Sequence, residues 1–223
     1  MNAEPLPCIE IDPADEPKTV IIWLHGLGAD GHDFEPIADQ LSLPSEMAVR
    51  FVFPHAPRRA VTINGGFVMR AWYDIASADL GRWIDAKGIL ASRQAIEDLI
   101  DQERESGIDP SRIFLAGFSQ GGVIALETAV RYRDGLAGVI ALSTYLAAPE
   151  NLPAASGALP IFMGHGEDDP VVAYDLAVQS RSELERKGYA VEWHEYAMPH
   201  SVCAEEIAAI GDSAKAPKRS DLV

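Results

Sequence analysis

The sequence predicts an α/β domain, a mainly parallel central sheet with helices on both faces, and three observations predict it. Apolar runs near residues 20–24, 49–53, 112–116, 138–142, 160–164 and 190–196 are separated by helix-like segments near 33–42, 87–105, 120–132, 173–187 and 201–210, and this alternation is the pattern of parallel strands joined by crossover helices. Most of the strand runs are apolar at successive positions, as strands buried on both faces must be. The third observation is a glycine-flanked serine between one strand run and the helix that follows it. At 223 residues and 48% hydrophobic content the chain can bury a core of its own, and no linker or repeat divides it. Residues 1–210 are expected to form a single domain.

The first long run, Thr19-Val20-Ile21-Ile22-Trp23-Leu24, leads into His25-Gly26-Leu27-Gly28-Ala29-Asp30-Gly31. The small residues let this loop's main chain approach a substrate, so that Leu27 would present its N–H. A phosphate-binding loop is the competing reading, and it is weak because neither G-x-x-x-x-G-K-[ST] nor G-x-G-x-x-G is present. Between the strand ending at Phe53 and the helix beginning near Ala86 lies a long segment. Its Val61, Ile63, Phe67, Val68, Met69, Trp72 and Tyr73 are too apolar for an ordinary surface loop. We expect it to wall a site, with Ile63, Phe67, Met69, Trp72 and Tyr73 contacting substrate and Gly65-Gly66 as its hinge. In the next helix Ile89, Ala95, Ile96, Leu99 and Ile100 form the apolar side, while Glu97, Asp98 and Asp101 face water.

The run Arg112-Ile113-Phe114-Leu115-Ala116 opens directly into Gly117-Phe118-Ser119-Gln120-Gly121-Gly122. This is G-x-S-x-G after a strand, the signature of a nucleophile elbow. A tight strand-to-helix turn lifts the Ser119 hydroxyl clear of the backbone, where a base and a substrate can both reach it. A Cβ at Gly117 or Gly121 would collide with neighbouring main chain. The helix from Gln120 has its N-terminus at the serine, and its dipole favours developing negative charge there. The N–H of Gln120 and that of Leu27 are the candidate oxyanion donors.

Partners for the serine follow in the order Ser, Asp, His. The run Leu159–Gly164 opens into His165-Gly166-Glu167-Asp168-Asp169-Pro170, at the strand end where α/β sheets place their sites. Asp169 is the candidate acid because Pro170 pre-sets a turn and a helix start, with Asp168 the alternative. The alternating strand Tyr189–Tyr196 ends in Ala197-Met198-Pro199-His200. Of the six histidines His200 alone has the right place in the order to take the serine proton and return it to a leaving group. His194 reads as a sheet-surface residue, His165 as a turn-stabilising group, and His32 and His55 as loop residues near the site's edge.

These segments resemble the carboxylesterase and acyl-protein thioesterase group of α/β-hydrolases, the phospholipase/carboxylesterase family. The likeness runs from about Thr19 to about Ile210 through WLHGLGADGHDF, FPHAPRRAVTINGG, MRAWYDI, GFSQGG, ALSTYL, HGEDDPVV and MPHSVCAEEI. It implies the α/β-hydrolase fold and a serine hydrolase acting on carboxylic esters or thioesters of short to medium acyl chains through an acyl-enzyme. Ser119, Asp169 and His200 would be the triad, and Leu27 and Gln120 the oxyanion donors. A lysophospholipase or protein depalmitoylase would use the same triad, and an α/β-hydrolase fold can also serve as a binding module. Family members usually continue the last helix with apolar and aromatic residues. Here Ile210 gives way to Gly211-Asp212-Ser213-Ala214-Lys215-Ala216-Pro217 and a charged end, so residues 211–223 are expected to be disordered.

The net charge of −16, from 34 acids against 18 bases, argues against nucleic acid and anionic membrane surfaces as partners. The substrate is expected to be a small-molecule ester or thioester, and a homodimer is compatible with the sequence. Two cysteines, Cys8 and Cys203, make neither a disulfide framework nor a metal cluster, so no metal or organic cofactor is expected. The first residues lack the basic and apolar regions of a signal peptide, and no stretch is long enough to span a bilayer. The expected location is the cytoplasm.

Overall fold

Strands β2 (Thr19–Leu24) and β6 (Ile113–Phe118) lie side by side in parallel in the computed structural model, Val20 opposite Ile113 and Leu24 opposite Gly117. The structure describes residues 5–80, 83–157 and 159–215. Seven strands form the central sheet in the order β1-β3-β2-β6-β7-β8-β9. To one side of the β2–β6 pair lie β3 (Val49–Pro54) and β1 (Cys8–Ile11), to the other β7 (Gly138–Leu142), β8 (Pro160–Gly166) and β9 (Ala190–Tyr196). All neighbours run parallel except β1, which pairs antiparallel with β3.

Burial on both faces follows from the period of two along each strand. Val20, Ile22 and Leu24 of β2 and Ile113 and Leu115 of β6 join one core, beneath α2 (Ala86–Glu105), α3 (Gln120–Ala129) and α4 (Tyr174–Arg186). Ile21 and Trp23, with Phe114 and Ala116, join the other, beneath α1 (Ile37–Gln40) and α5 (Ala204–Lys215). Asp85 starts α2 by accepting from the Gly88 N–H at 2.9 Å, and the helix then lays Ile89, Ile96, Leu99 and Ile100 on the sheet. Helix α3 is buried over its whole length, which is why its sequence carries no polar stripe.

Two expectations need correction, and one segment takes on a structure the sequence did not assign. The helix expected over 33–42 is a 3₁₀ turn at Gly31–Asp33 and a single α-turn at Ile37–Gln40, because Pro36 supplies no N–H and restricts Glu35 before it. The segment after Phe53 forms a separate antiparallel hairpin of β4 (Arg58–Val61) and β5 (Phe67–Arg70), with Gly65 and Gly66 both at positive φ in the connection. The disorder expected from Gly211 does not begin there. Helix α5 continues to Lys215, burying Gly211 and Ala214, because the missing side chain at Gly211 lets the helix lie against the carbonyl of Leu41. The rest of that expected tail, residues 216–223, lies outside the described residues. No helix among the described residues is long and apolar enough to cross a membrane.

Candidate active site

Parallel strands deliver their C-terminal ends to one edge of the sheet, and the candidate residues meet there. Ser119 follows β6 with φ +54° and ψ −119°, a region that non-glycine residues occupy only when their surroundings enforce it. The enforcement is visible. The Ser119 N–H donates to the Leu142 carbonyl at 2.8 Å, and the Ser119 carbonyl accepts from Thr144 Oγ1 at 2.8 Å and from the Val123 N–H at 3.2 Å. A Cβ on Gly117 would strike the backbone of Gly121, and one on Gly121 would strike the carbonyls of Leu24 and His25. The turn therefore closes against the end of β2.

His200 lies beyond β9, half-buried, with its ring 4.7 Å from that of Phe118. Its Nε2 is 2.9 Å from Ser119 Oγ, and its Nδ1 is 2.7 Å from Asp169 Oδ2. A carboxylate only accepts, so the proton of a neutral His200 sits on Nδ1 and Nε2 offers its lone pair to the serine hydroxyl. Asp169 is buried, and its other oxygen accepts from the N–H groups of Val171 and Val172 at 2.8 and 2.9 Å. Its neighbours Glu167 and Asp168 are exposed. Turn geometry after Pro170 thus selects Asp169 among three adjacent acids.

His165 reinforces the acid loop. It is fully buried, its Nε2 lies 2.9 Å from the Val172 carbonyl, and burial holds its pKa below the usual value, so it stays neutral and donates to that carbonyl. His55 and His32 serve loops: His55 Nδ1 accepts from the Gly31 N–H at 3.0 Å, and His32 Nδ1 lies 2.9 Å from Glu35. His194 stacks on Phe162 of the sheet.

The loop carrying Leu27 packs against the nucleophile, since a Cβ on Gly26 would sit 3.7 Å from that of Ser119. Neither the Leu27 N–H nor the Gln120 N–H is bonded to another group among the described residues. His25 holds this loop in shape. Its Nε2 accepts from the Ala56 N–H at 3.1 Å, so its proton is on Nδ1, which donates to the Gly26 carbonyl at 2.7 Å, and burial keeps its pKa low. Reading the sequence did not single out His25, although its place directly before the loop glycine was a signal. Thr144 carried no such signal.

The expected substrate contacts divide. Ile63 and Phe67 are exposed on the hairpin, and Met69 turns its sulfur toward Gly28. The hairpin is fastened to the Leu27 loop by a bond from the Gly28 N–H to the Arg70 carbonyl at 2.9 Å. Trp72 and Tyr73 do not face a groove. Both are buried in the core beneath α2 and α3, since the chain turns inward after β5 and binds the elbow helix. Among the described residues no three His, Cys, Asp or Glu side chains converge where they could hold a metal ion.

The profile of the phospholipase/carboxylesterase family matches residues 7–216, nearly the whole chain. The chain belongs to this family. It is 40% identical over 216 residues to acyl-protein thioesterase 1 of Neurospora crassa, covering 90% of this chain and 88% of that protein. To carboxylesterase SOBER1 of Arabidopsis thaliana it is 32% identical over 200 residues, 86% of this chain and 88% of that one. The crystal structure of SOBER1 superimposes with a TM-score of 0.82 over 89% of this chain and 98% of that chain. Acyl-protein thioesterase 2 of Zea mays gives 0.83 at 26% identity, over 93% and 96%. The fold is accordingly that of the α/β-hydrolases.

Proposed function

We propose that this family member hydrolyses acyl esters and thioesters with Ser119 as nucleophile, His200 as general base and acid, and Asp169 as the group that fixes the His200 tautomer. The observation that carries the reading is the continuous chain from Ser119 Oγ through both His200 nitrogens to the buried Asp169, with contacts of 2.9 and 2.7 Å. As Oγ bonds to the acyl carbon, its proton passes to His200 Nε2 and the carbonyl π pair moves to oxygen. The N–H groups of Leu27 and Gln120 receive that oxyanion. Collapse re-forms the carbonyl and expels the alcohol or thiol, which leaves with the proton from Nε2. Water then repeats both steps on the acyl-enzyme, releasing the acid and free Ser119. The −1 charge of Asp169 stabilises the imidazolium in each step, and its two backbone donors hold it in place.

The apolar end of the hairpin, with Ile63, Phe67 and Met69, is the proposed acyl contact. Ile63 and Phe67 are exposed there, and the half-buried Met69 sets its sulfur beside Gly28 of the Leu27 loop. Each methylene buried there contributes about 0.8 kcal/mol, or about fourfold in kcat/KM. The first relatives found being acyl-protein thioesterases supports thioesters as the natural bond. A cytoplasmic location belongs to the same reading. A fluorophosphonate probe tests the nucleophile: it should add to Ser119 in the native protein and not in Ser119→Ala, with Asp169→Asn nearly inactive and Asp168→Asn close to wild type. A parallel series of acyl esters and acyl thioesters from acetyl upward should then show kcat/KM rising with chain length. Labelling elsewhere, or wild-type turnover by Ser119→Ala, would overturn the assignment.

A further inference from the structure

The two elements that carry the proposed oxyanion donors come from different strands, β2 and β6, and one buried residue is bonded to both. The Trp72 N–H donates to Gln120 Oε1 at 2.8 Å, and Gln120 Nε2 donates to the Tyr73 carbonyl at 2.7 Å. The Gln120 carboxamide thus pairs with the main chain of 72–73 as a neighbouring strand would. Its orientation is unique, because a flipped amide would set donor against donor and acceptor against acceptor. The Trp72 indole N–H reaches the other way and donates to the His25 carbonyl at 2.9 Å, two residues before Leu27. The indole also packs on the His25 ring, with centroids 5.3 Å apart. Trp72 is itself pinned, its carbonyl accepting from Ser92 Oγ on α2.

Each of these groups is buried, so each bond replaces one that water would otherwise make, and breaking one leaves an unpaired polar atom in the core. The arrangement has little slack. The Gln120 side chain is fixed at one end to the residue whose N–H is used and at the other to Trp72, and the Trp72 ring is fixed to the loop that presents Leu27.

We propose that Trp72 is a positioning residue, which sets the spacing between the Gln120 and Leu27 N–H groups through the Gln120 carboxamide and the His25 carbonyl. The inference rests on the reading of those two N–H groups as the oxyanion site. It touches no substrate atom. Its effect is confined to states that carry negative charge on the acyl oxygen, which are the tetrahedral intermediates of both acylation and deacylation. Slowing both steps together lowers kcat and leaves KM where it was.

The test uses Trp72→Phe, which keeps an aromatic ring and removes the indole N–H, and Gln120→Met, which keeps the chain length and removes the carboxamide while retaining the backbone N–H. Turnover is measured per fluorophosphonate-titrated active site, so that any unfolded fraction drops out. Alongside it runs the affinity for an alkylboronic acid, which forms a tetrahedral anionic adduct on serine. A misplaced donor costs about ten- to hundredfold. Each variant should lose kcat by about that factor, hold KM within about twofold, and lose boronate affinity in proportion to kcat. Unchanged kcat and boronate affinity per active site in Gln120→Met would overturn the inference while leaving the oxyanion reading intact, as would a loss that appears in KM alone. Boronate binding by the wild type no tighter than that by Ser119→Ala would overturn both.

Discussion

Replacing Glu206 by glutamine should stabilise this protein at neutral pH and should not do so in acid. Glu206 is fully buried in the first turn of α5, above Gly164 of β8, where its carboxyl fills the space a Cβ would take. Neither of its oxygens has a hydrogen-bond partner among the described residues. Burial pushes its pKa up to about 8, opposed only by the nearby Cys203 N–H. The other titratable groups that feel it are Tyr196, whose hydroxyl is also buried without a partner, and the Cys203 thiol, and burial holds both neutral.

The sign follows from comparing the folded and unfolded acid. Below about pH 4.5 both are protonated and the group adds no pH-dependent cost. Between about 4.5 and 8 the unfolded chain releases the proton and the folded chain keeps it, so stability falls by about 1.4 kcal/mol per pH unit; above about 8 the folded form ionises too and the loss levels off. At pH 7 the accumulated cost is about 3 kcal/mol. Glutamine resembles the protonated acid in size and polarity but cannot ionise, so it removes this cost. For a domain of this length about 3 kcal/mol corresponds to roughly 6–12 °C in Tm. Thermal unfolding followed by circular dichroism from pH 4.5 to 8.5 would show the two proteins melting together at the acid end and separating as pH rises. Parallel curves across the range would refute the buried-acid reasoning.

Two further outcomes follow from the surface and from α5. The net charge of −16 destabilises the compact state by self-repulsion, which salt screens over a Debye length of about 10 Å at 0.1 M, so Tm should rise with sodium chloride; a flat or falling curve would show the carboxylates to be balanced locally. Gly211→Ala should lower Tm by several degrees although alanine is the better helix former by about 1 kcal/mol, because the added methyl meets the Leu41 carbonyl and overpacking costs about 1–3 kcal/mol. A gain in Tm would mean that α5 does not rest on α1.

The residues that were legible in the sequence are those whose local pattern and tertiary role coincide. The run 112–116 reads as a buried strand and from Ile113 lies in one, β6, Gly117 and Gly121 are glycines because main chain passes where their side chains would be, and Pro170 marks which acid is held by the turn. The illegible parts are those whose role depends on a partner far along the chain. Strands β1 and β4 have four residues each, too few to show a period, and β4 pairs only with β5. Trp72 and Tyr73 read correctly as needing burial, but apolar character does not say whether a side chain turns toward a groove or into the core. Gly211 looks like a helix end, and its function is to let a helix pass close to Leu41. His25 through the Ala56 N–H, and Thr144 through the Ser119 carbonyl, act by hydrogen bonds to backbone atoms that only the fold brings near.

Of the three side chains in the proposed triad, two follow interior strands, Ser119 after β6 and Asp169 after β8, and His200 follows β9, the outermost strand, which among the described residues is bonded to β8 alone. Edge elements open at lower free energy than the centre of a sheet. An excursion that peels β9 and the start of α5 away withdraws the base and leaves the elbow folded, so the protein can lose turnover while keeping most of its structure. A substitution that strengthens the β8–β9 seam is therefore expected to prolong activity under heat more than one that strengthens the core around β2 and β6.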